Sequence, residues 1–135
     1  MPVRTSRFLL PGHVYTRADL KDAFGIIDAS INNGIFQPKG HDSVWLFVTK
    51  EKTADRVQYA DRLDGAILTF PGQTEGRTDS KLFDHVANGH ELIVFYRDRK
   101  YEHPGAGFQF EGGFEYVTHV PGRPSVFTLR RVDGA

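Results

Sequence analysis

No cysteine occurs in the sequence, which excludes both a disulfide framework and a thiolate metal site. Net charge is also missing, because 17 Lys and Arg balance 17 Asp and Glu. Proteins that coat nucleic acid without regard to sequence carry a basic excess. Any nucleic-acid role here therefore rests on a local basic face and a specific pocket. No apolar run approaches the ~20 residues of a membrane span, and no signal-peptide core follows Met1 to Arg7. The expectation is an intracellular, cytoplasmic chain without a membrane partner. The histidines (His13, His41, His85, His90, His103 and His119) form no HxH, HExxH or HxxxH spacing, so no dedicated metal site is expected. GxSxG and GxxxxGK are absent too, which removes the usual signals for a hydrolase nucleophile and a phosphate loop. No cofactor is expected.

What is present suits an ordinary soluble globule. The 135 residues, 39% hydrophobic and 25% charged, make one domain over 1–135 with a core of useful size. Aromatics reach 13%, with 11 Phe, enough to fill a core and leave some for a ligand cage. The chain is organised around Gln58 to Thr74. There Tyr59, Asp61, Arg62 and Asp64 precede Gly65, a short apolar run ends at Phe70, and Pro71-Gly72 closes the stretch. Asp64-Gly65 signals a turn and Ala66 to Phe70 a strand. Binding groups often sit at such strand ends, although surface charges around a plain hairpin would read the same way.

In chain order, Arg4 and Arg7 form a basic arm before a short strand at Phe8 to Leu10. Thr16, with Asp19 three residues on, predicts a capped helix over 17–24 that Gly25 ends. Ile26 to His41 reads as loop with a short strand at Gly34 to Gln37. Ser43 to Thr49 and Glu91 to Arg97 are continuously apolar and read as central strands, with Trp45 in the core. A second helix is expected over 80–88, capped by Thr78 or Asp79 and burying Leu82, Phe83 and Val86. Phe108 to Glu111 and Phe114 to Thr118 alternate on either side of Gly112-Gly113, a hairpin pattern. Ser125 to Val132 is the last strand. The fold class is α+β: a small mixed β-barrel of six to seven strands with two short helices.

The remaining pattern is basic and aromatic. Lys50, Lys52 and Arg56 precede Tyr59, while Arg97 and Arg99 follow Tyr96. Cations at strand ends among aromatic rings suit phosphate contacts combined with base stacking. Interspersed Asp98, Glu102, Glu111 and Glu115 equally suit a solvated surface.

Three blocks carry a resemblance: Tyr15-Thr16-Arg17-Ala18-Asp19-Leu20, the run Tyr59…Arg62-Leu63-Asp64-Gly65…Gly72-Gln73-Thr74, and Phe95-Tyr96-Arg97. In order and spacing they resemble the C-terminal domain of phospholipase-D/helicase type IV restriction proteins, which also accompanies HNH nucleases. That domain is similar to the PUA and SRA (YDG) group, whose members read modified DNA, and to sulfur-binding domains that read phosphorothioate DNA. Leu63 replaces a frequent Trp of that family, and Pro71 is an insertion before Gly72. Tyr101 to Ala106 loosely resembles the apolar pocket of the sulfur-binding domains.

The resemblance implies a PUA/SRA-like, non-catalytic module that binds modified DNA, either a methylated base or a phosphorothioate, in a restriction or defence context. Cleavage would then need a nuclease or helicase partner or a fused domain. A base flipped from the stack would lie between Tyr59, Phe70 and Tyr96, with Asp61 or Asp64 reading its edge. Lys50, Lys52, Arg56, Arg62, Arg97 and Arg99 would contact phosphates. Two other classes stay open: a protein-interaction module, and a small-molecule or nucleotide-binding barrel with possible enzyme activity.

Overall fold

A computed structural model describes residues 4–27, 31, 34–50, 62–71, 79–99, 101–122 and 125–132, with Arg62 and Asp79 described by backbone alone. Strands are β1 (Val14–Tyr15), β2 (Ile35–Phe36), β3 (Ser43–Thr49), β4 (Arg62–Asp64), β5 (Ile67–Pro71), β6 (Glu91–Arg97), β7 (Phe108–Val120) and β8 (Val126–Arg131). Helices are α1 (Arg17–Phe24) and α2 (Asp79–Phe83), with 3-10 turns at Thr5–Phe8 and Pro104–Ala106. All eight strands join one sheet, in the order β2-β3-β6-β7-β8-β5-β4, and β1 pairs with β7 off this path. Among the described residues the sheet curls without closing. The α+β class holds, as a mostly β sheet of eight strands with two short helices, and the expected closure into a barrel is not seen in these residues.

Strands β3 and β6 are interior to the sheet and run parallel, with Val48 beside Tyr96 and Thr49 beside Arg97. Their apolar continuity follows from burial on both faces. Val44, Leu46, Val48, Leu92 and Val94 enter one core with Leu68 and Phe70 of β5 and Phe127 and Leu129 of β8. Strands far apart in the sheet order share that core because the sheet wraps around it. Trp45, Phe47, Ile93 and Phe95 face the other way, into an aromatic core covered by Leu20 of α1 and by Leu9. α1 matches its predicted bounds. Thr16 Oγ1 accepts the Asp19 N–H, the Asp19 carboxylate accepts the Thr16 N–H, and Gly25 closes the helix at φ 63°.

Three local expectations are corrected. The N-terminal arm forms a 3-10 turn rather than a strand at Phe8 to Leu10. α2 ends at Phe83, and turns carry the chain on to Gly89 at φ 74°. Only Leu82 of the three expected inward residues is fully buried; Val86 is 72% exposed and Phe83 lies at the rim against Tyr116 and His119. The Gly112-Gly113 hairpin does not exist, since β7 is one strand of 13 residues. Val94 pairs with Gly112 and Phe95 with Phe110, leaving Glu111 as an extra residue in a bulge beside Gly112 at φ 92°. Phe110 and Phe114, four apart, would share a face in a regular strand. The bulge sends them into opposite cores. A turn and a bulge both reset side-chain alternation, so the sequence pattern does not separate them.

Candidate functional site

β6 ends on Tyr96 and Arg97, and successive strand residues point to opposite faces. The chemistry of the molecule divides there. Tyr96 lies on the wrapped face, in a cleft of about 210 Å³ lined by Leu63 of β4, Asp98, Glu102, His103, and Gln109 and Glu111 of β7. Strand alternation ahead of the bulge puts Gln109 and Glu111 on this side while Phe108 and Phe110 fill the aromatic core.

The polar groups of the cleft hold one another in place. Glu102 Oε1 accepts the Asp98 N–H at 2.9 Å and lies 3.3 Å from His103 Nε2. Gln109 Nε2 donates to Glu111 Oε2 at 2.8 Å, and Arg131 Nη2 lies 3.2 Å from Glu111 Oε1. Burial pushes the Tyr96 hydroxyl up to about 12, and the Asp98 charge adds to the rise. A backbone hydrogen bond with Leu63 pulls the other way. Tyr96 is therefore a neutral ring with a hydrogen-bonding tip throughout the physiological range. The site combines an aromatic wall, an amide and three carboxylates. It can accept hydrogen bonds from amino and imino groups, and it repels anions.

On the other face, the Arg97 guanidinium carbon lies 3.9 Å over the ring of Phe108. Its Nε donates to Thr49 Oγ1 at 2.9 Å and its Nη1 to the Ala106 carbonyl at 2.7 Å. Ala106 holds a left-handed φ of 56°, unusual for a residue other than glycine. Lys50 and Arg99 are exposed at the same end of the sheet, and the Lys50 N–H donates to the Arg97 carbonyl.

Of the predicted base-pocket residues, Tyr96 alone lines the cleft among those described. Phe70 is corrected from a pocket wall to a core ring, 5% exposed and stacked near Phe127 at 5.9 Å. Asp64 is exposed at the end of β4, beside the Gly65 turn, outside the cleft lining. Tyr59, Asp61, Lys52 and Arg56 lie outside the described residues, as does the side chain of Arg62. Arg97 is largely buried rather than displayed as a surface cation. In the sequence, Asp98, Glu102 and Glu111 suited a solvated surface as well as a functional one. Polar residues alternating with Phe108 and Phe110 mark a strand face without saying that it lines a cleft. Among the described residues no group of three or more His, Asp or Glu is arranged to hold a metal ion. No helix among them is long and apolar enough to cross a membrane.

A known restriction enzyme shares this architecture. It is a solved structure described as a modification dependent TagI restriction endonuclease, with a TM-score of 0.54 over 92% of this chain at 16% identity. At that identity the likeness concerns the fold. The chain spans 50% of the length of that structure. No protein-family model and no curated protein matches the sequence.

Proposed function

We propose that this domain is a non-catalytic, PUA/SRA-like module that binds DNA and reads a modification on it, in a restriction or defence setting. The observation that carries the reading is the Tyr96 cleft at the end of the sheet that also displays Lys50 and Arg99. A flipped base brings a flat, uncharged ring to Tyr96 and offers amino or imino donors to Asp98, Glu102 or Glu111. Its phosphates, repelled by those acids, stay at the rim beside the cations. Support also comes from the fold neighbour, itself named as modification dependent and as a restriction endonuclease. Cleavage would fall to a nuclease or helicase partner, and the cytoplasm is the setting in which such a module works.

The test is a titration of wild type and Tyr96→Ala against plain, 5-methylcytosine, 5-hydroxymethylcytosine, N6-methyladenine and phosphorothioate duplexes. Losing one stacking wall costs about 1–3 kcal/mol, so the preferred duplex should weaken by roughly fivefold to a hundredfold. A methyl group adds only about 1 kcal/mol of apolar burial, so selectivity for a methylated base should be near fivefold unless the plain base is actively rejected. Equal weakening on every duplex would remove Tyr96 from the reading of the modification.

A second reading is favoured by one observation, the three carboxylates around so small a cleft. They suit a cationic or donor-rich small molecule. Absence of duplex binding at low salt, together with saturable binding of such a ligand, would select it.

A further inference from the structure

We propose that Arg17, with Arg97 beside it, seats a backbone phosphate of DNA at the strand end that carries the Tyr96 cleft, on the other face of β6. Arg17 is the first residue of α1, held there by the Thr16–Asp19 capping box. Its Nε donates to the Ile31 carbonyl at 3.0 Å. Its guanidinium carbon lies 4.4 Å over the ring of Phe47 and 5.0 Å from the centre of Phe108, the ring that Arg97 covers from 3.9 Å. Two cations thus share one aromatic platform. Among the described residues no carboxylate pairs with Arg17, and its Nη1 and Nη2 have no partner.

This arrangement is costly as mere packing. An apolar side chain could cover Phe47 and Phe108 without desolvating a charge. Burial and then the Arg97 charge bring the Arg17 guanidinium down to about 10, still cationic at neutral pH. An incoming anion would relieve both effects. A planar guanidinium with two spare nitrogens suits an oxyanion with two oxygens in one plane, the geometry of a phosphodiester.

The platform is also rigidly backed. Arg97 is tied to the Ala106 carbonyl by a loop whose Ala106 and Gly105 both have left-handed φ. Strained backbone of this kind gathers around binding sites. Because Tyr96 and Arg97 are adjacent, a phosphate at Arg17 lies at the same strand end as a base in the cleft. The inference rests on the DNA-binding reading and adds to it a specific cation, on the opposite face of β6 from the cleft.

The experiment compares wild type, Arg17→Gln, Arg17→Lys and a control, Lys39→Ala. Lys39 is exposed in the connection before β3, at the other end of that strand from Thr49. Each protein is titrated with one duplex across a salt series, and melted with and without inorganic phosphate. Arg17→Gln should bind every duplex about tenfold more weakly, with the salt slope reduced by about one. Its melting temperature should not fall, because a like-charge repulsion is removed. Should Arg17→Gln fail to fold, Arg17→Lys keeps the charge and should retain the slope while affinity drops severalfold. An Arg17→Gln slope equal to wild type would overturn the phosphate seat and leave the DNA reading intact. If wild type binds no duplex, yet phosphate raises its melting temperature and not that of Arg17→Gln, the DNA source is overturned and free phosphate becomes the ligand.

Discussion

At the start of β6 the Glu91 carboxylate accepts hydrogen bonds from the Ser6 N–H, the Ser6 hydroxyl and the Ser43 hydroxyl, at 3.1, 2.6 and 2.6 Å. At the other end of the same strand, Arg97 and Arg17 share an aromatic platform with no acid paired to Arg17 among the described residues. The first end is closed chemistry. Ser43 Oγ also accepts the Thr5 N–H, and Thr5 Oγ1 accepts from Trp45 Nε1 at 3.0 Å while meeting His41 Nδ1 at 2.7 Å. Donors and acceptors match, and the product is an anchored N-terminal turn. The second end leaves donors unused on Arg17, holds a non-glycine residue at positive φ, and opens a cleft on its opposite face. Matched groups lock a fold together, whereas surplus charge and strain need something from outside the chain to balance them.

The strongest way to break the comparison is Glu91→Ala. It strands two hydroxyls and one N–H, with Ser43 fully buried, at a cost of about 2–4 kcal/mol. Urea unfolding should show that loss, while DNA affinity per folded molecule stays at the wild-type value. A loss under about 1 kcal/mol would mean that water replaces the carboxylate, and the first end would not be closed after all.

The sequence carried the parts of this molecule that depend on local chemistry. α1 was legible because Thr16, Asp19 and Gly25 each act within one turn of the helix end. Ser43 to Thr49 and Glu91 to Arg97 were legible because burial on both faces leaves an uninterrupted apolar run. The cleft was not, because curvature makes it. Tyr96 and Gln109 are register partners on neighbouring strands, but Leu63 of β4, at the edge of the sheet order, meets them only because the sheet curls. Phe70 was misread for a related reason: aromatic identity does not say which face of a curled sheet is inside. Arg17 stood within a recognised block, but its unmatched charge appears only when Phe47, Phe108 and Arg97 converge on it.

A smaller effect sharpens the comparison from the other end. A Cβ added at Gly107 would lie 2.7 Å from Val14 Cγ1, 3.3 Å from the Pro104 carbonyl and 3.4 Å from that of Tyr15. Val14 is partly exposed and can turn away, but the two carbonyls are backbone. Gly107→Ala should therefore cost about 1–3 kcal/mol and shift the loop that presents the Ala106 carbonyl to Arg97. The diagnostic result is disproportion: duplex affinity should fall further than stability alone explains, unlike Glu91→Ala. Loss of stability with unchanged affinity would mean that this loop does not position the cationic end.

The smallest expected effect comes from His41 at the closed end. Thr5 Oγ1 accepts from Trp45 Nε1 and lies 2.7 Å from His41 Nδ1, so the hydroxyl proton is available to that nitrogen when Nδ1 carries none. The neutral imidazole is the form that fits. Burial lowers the His41 pKa below 6.5, with Glu91 pulling it partly back. The sign follows from proton counts. Well above 6.5 neither folded nor unfolded chain holds the extra proton, and His41 contributes no pH dependence. As pH falls through 6.5 the unfolded chain takes up a proton that the folded chain resists, so stability declines until the lower folded value is reached. Urea midpoints measured from about pH 8 down to about pH 5 should drop more for wild type than for His41→Asn, whose side-chain oxygen can still accept the Thr5 proton. Since every other residue is the same in both proteins, the difference between the two curves isolates His41. A difference that vanishes, or that grows toward high pH, would show that the Thr5–His41–Trp45 cluster does not require neutral imidazole.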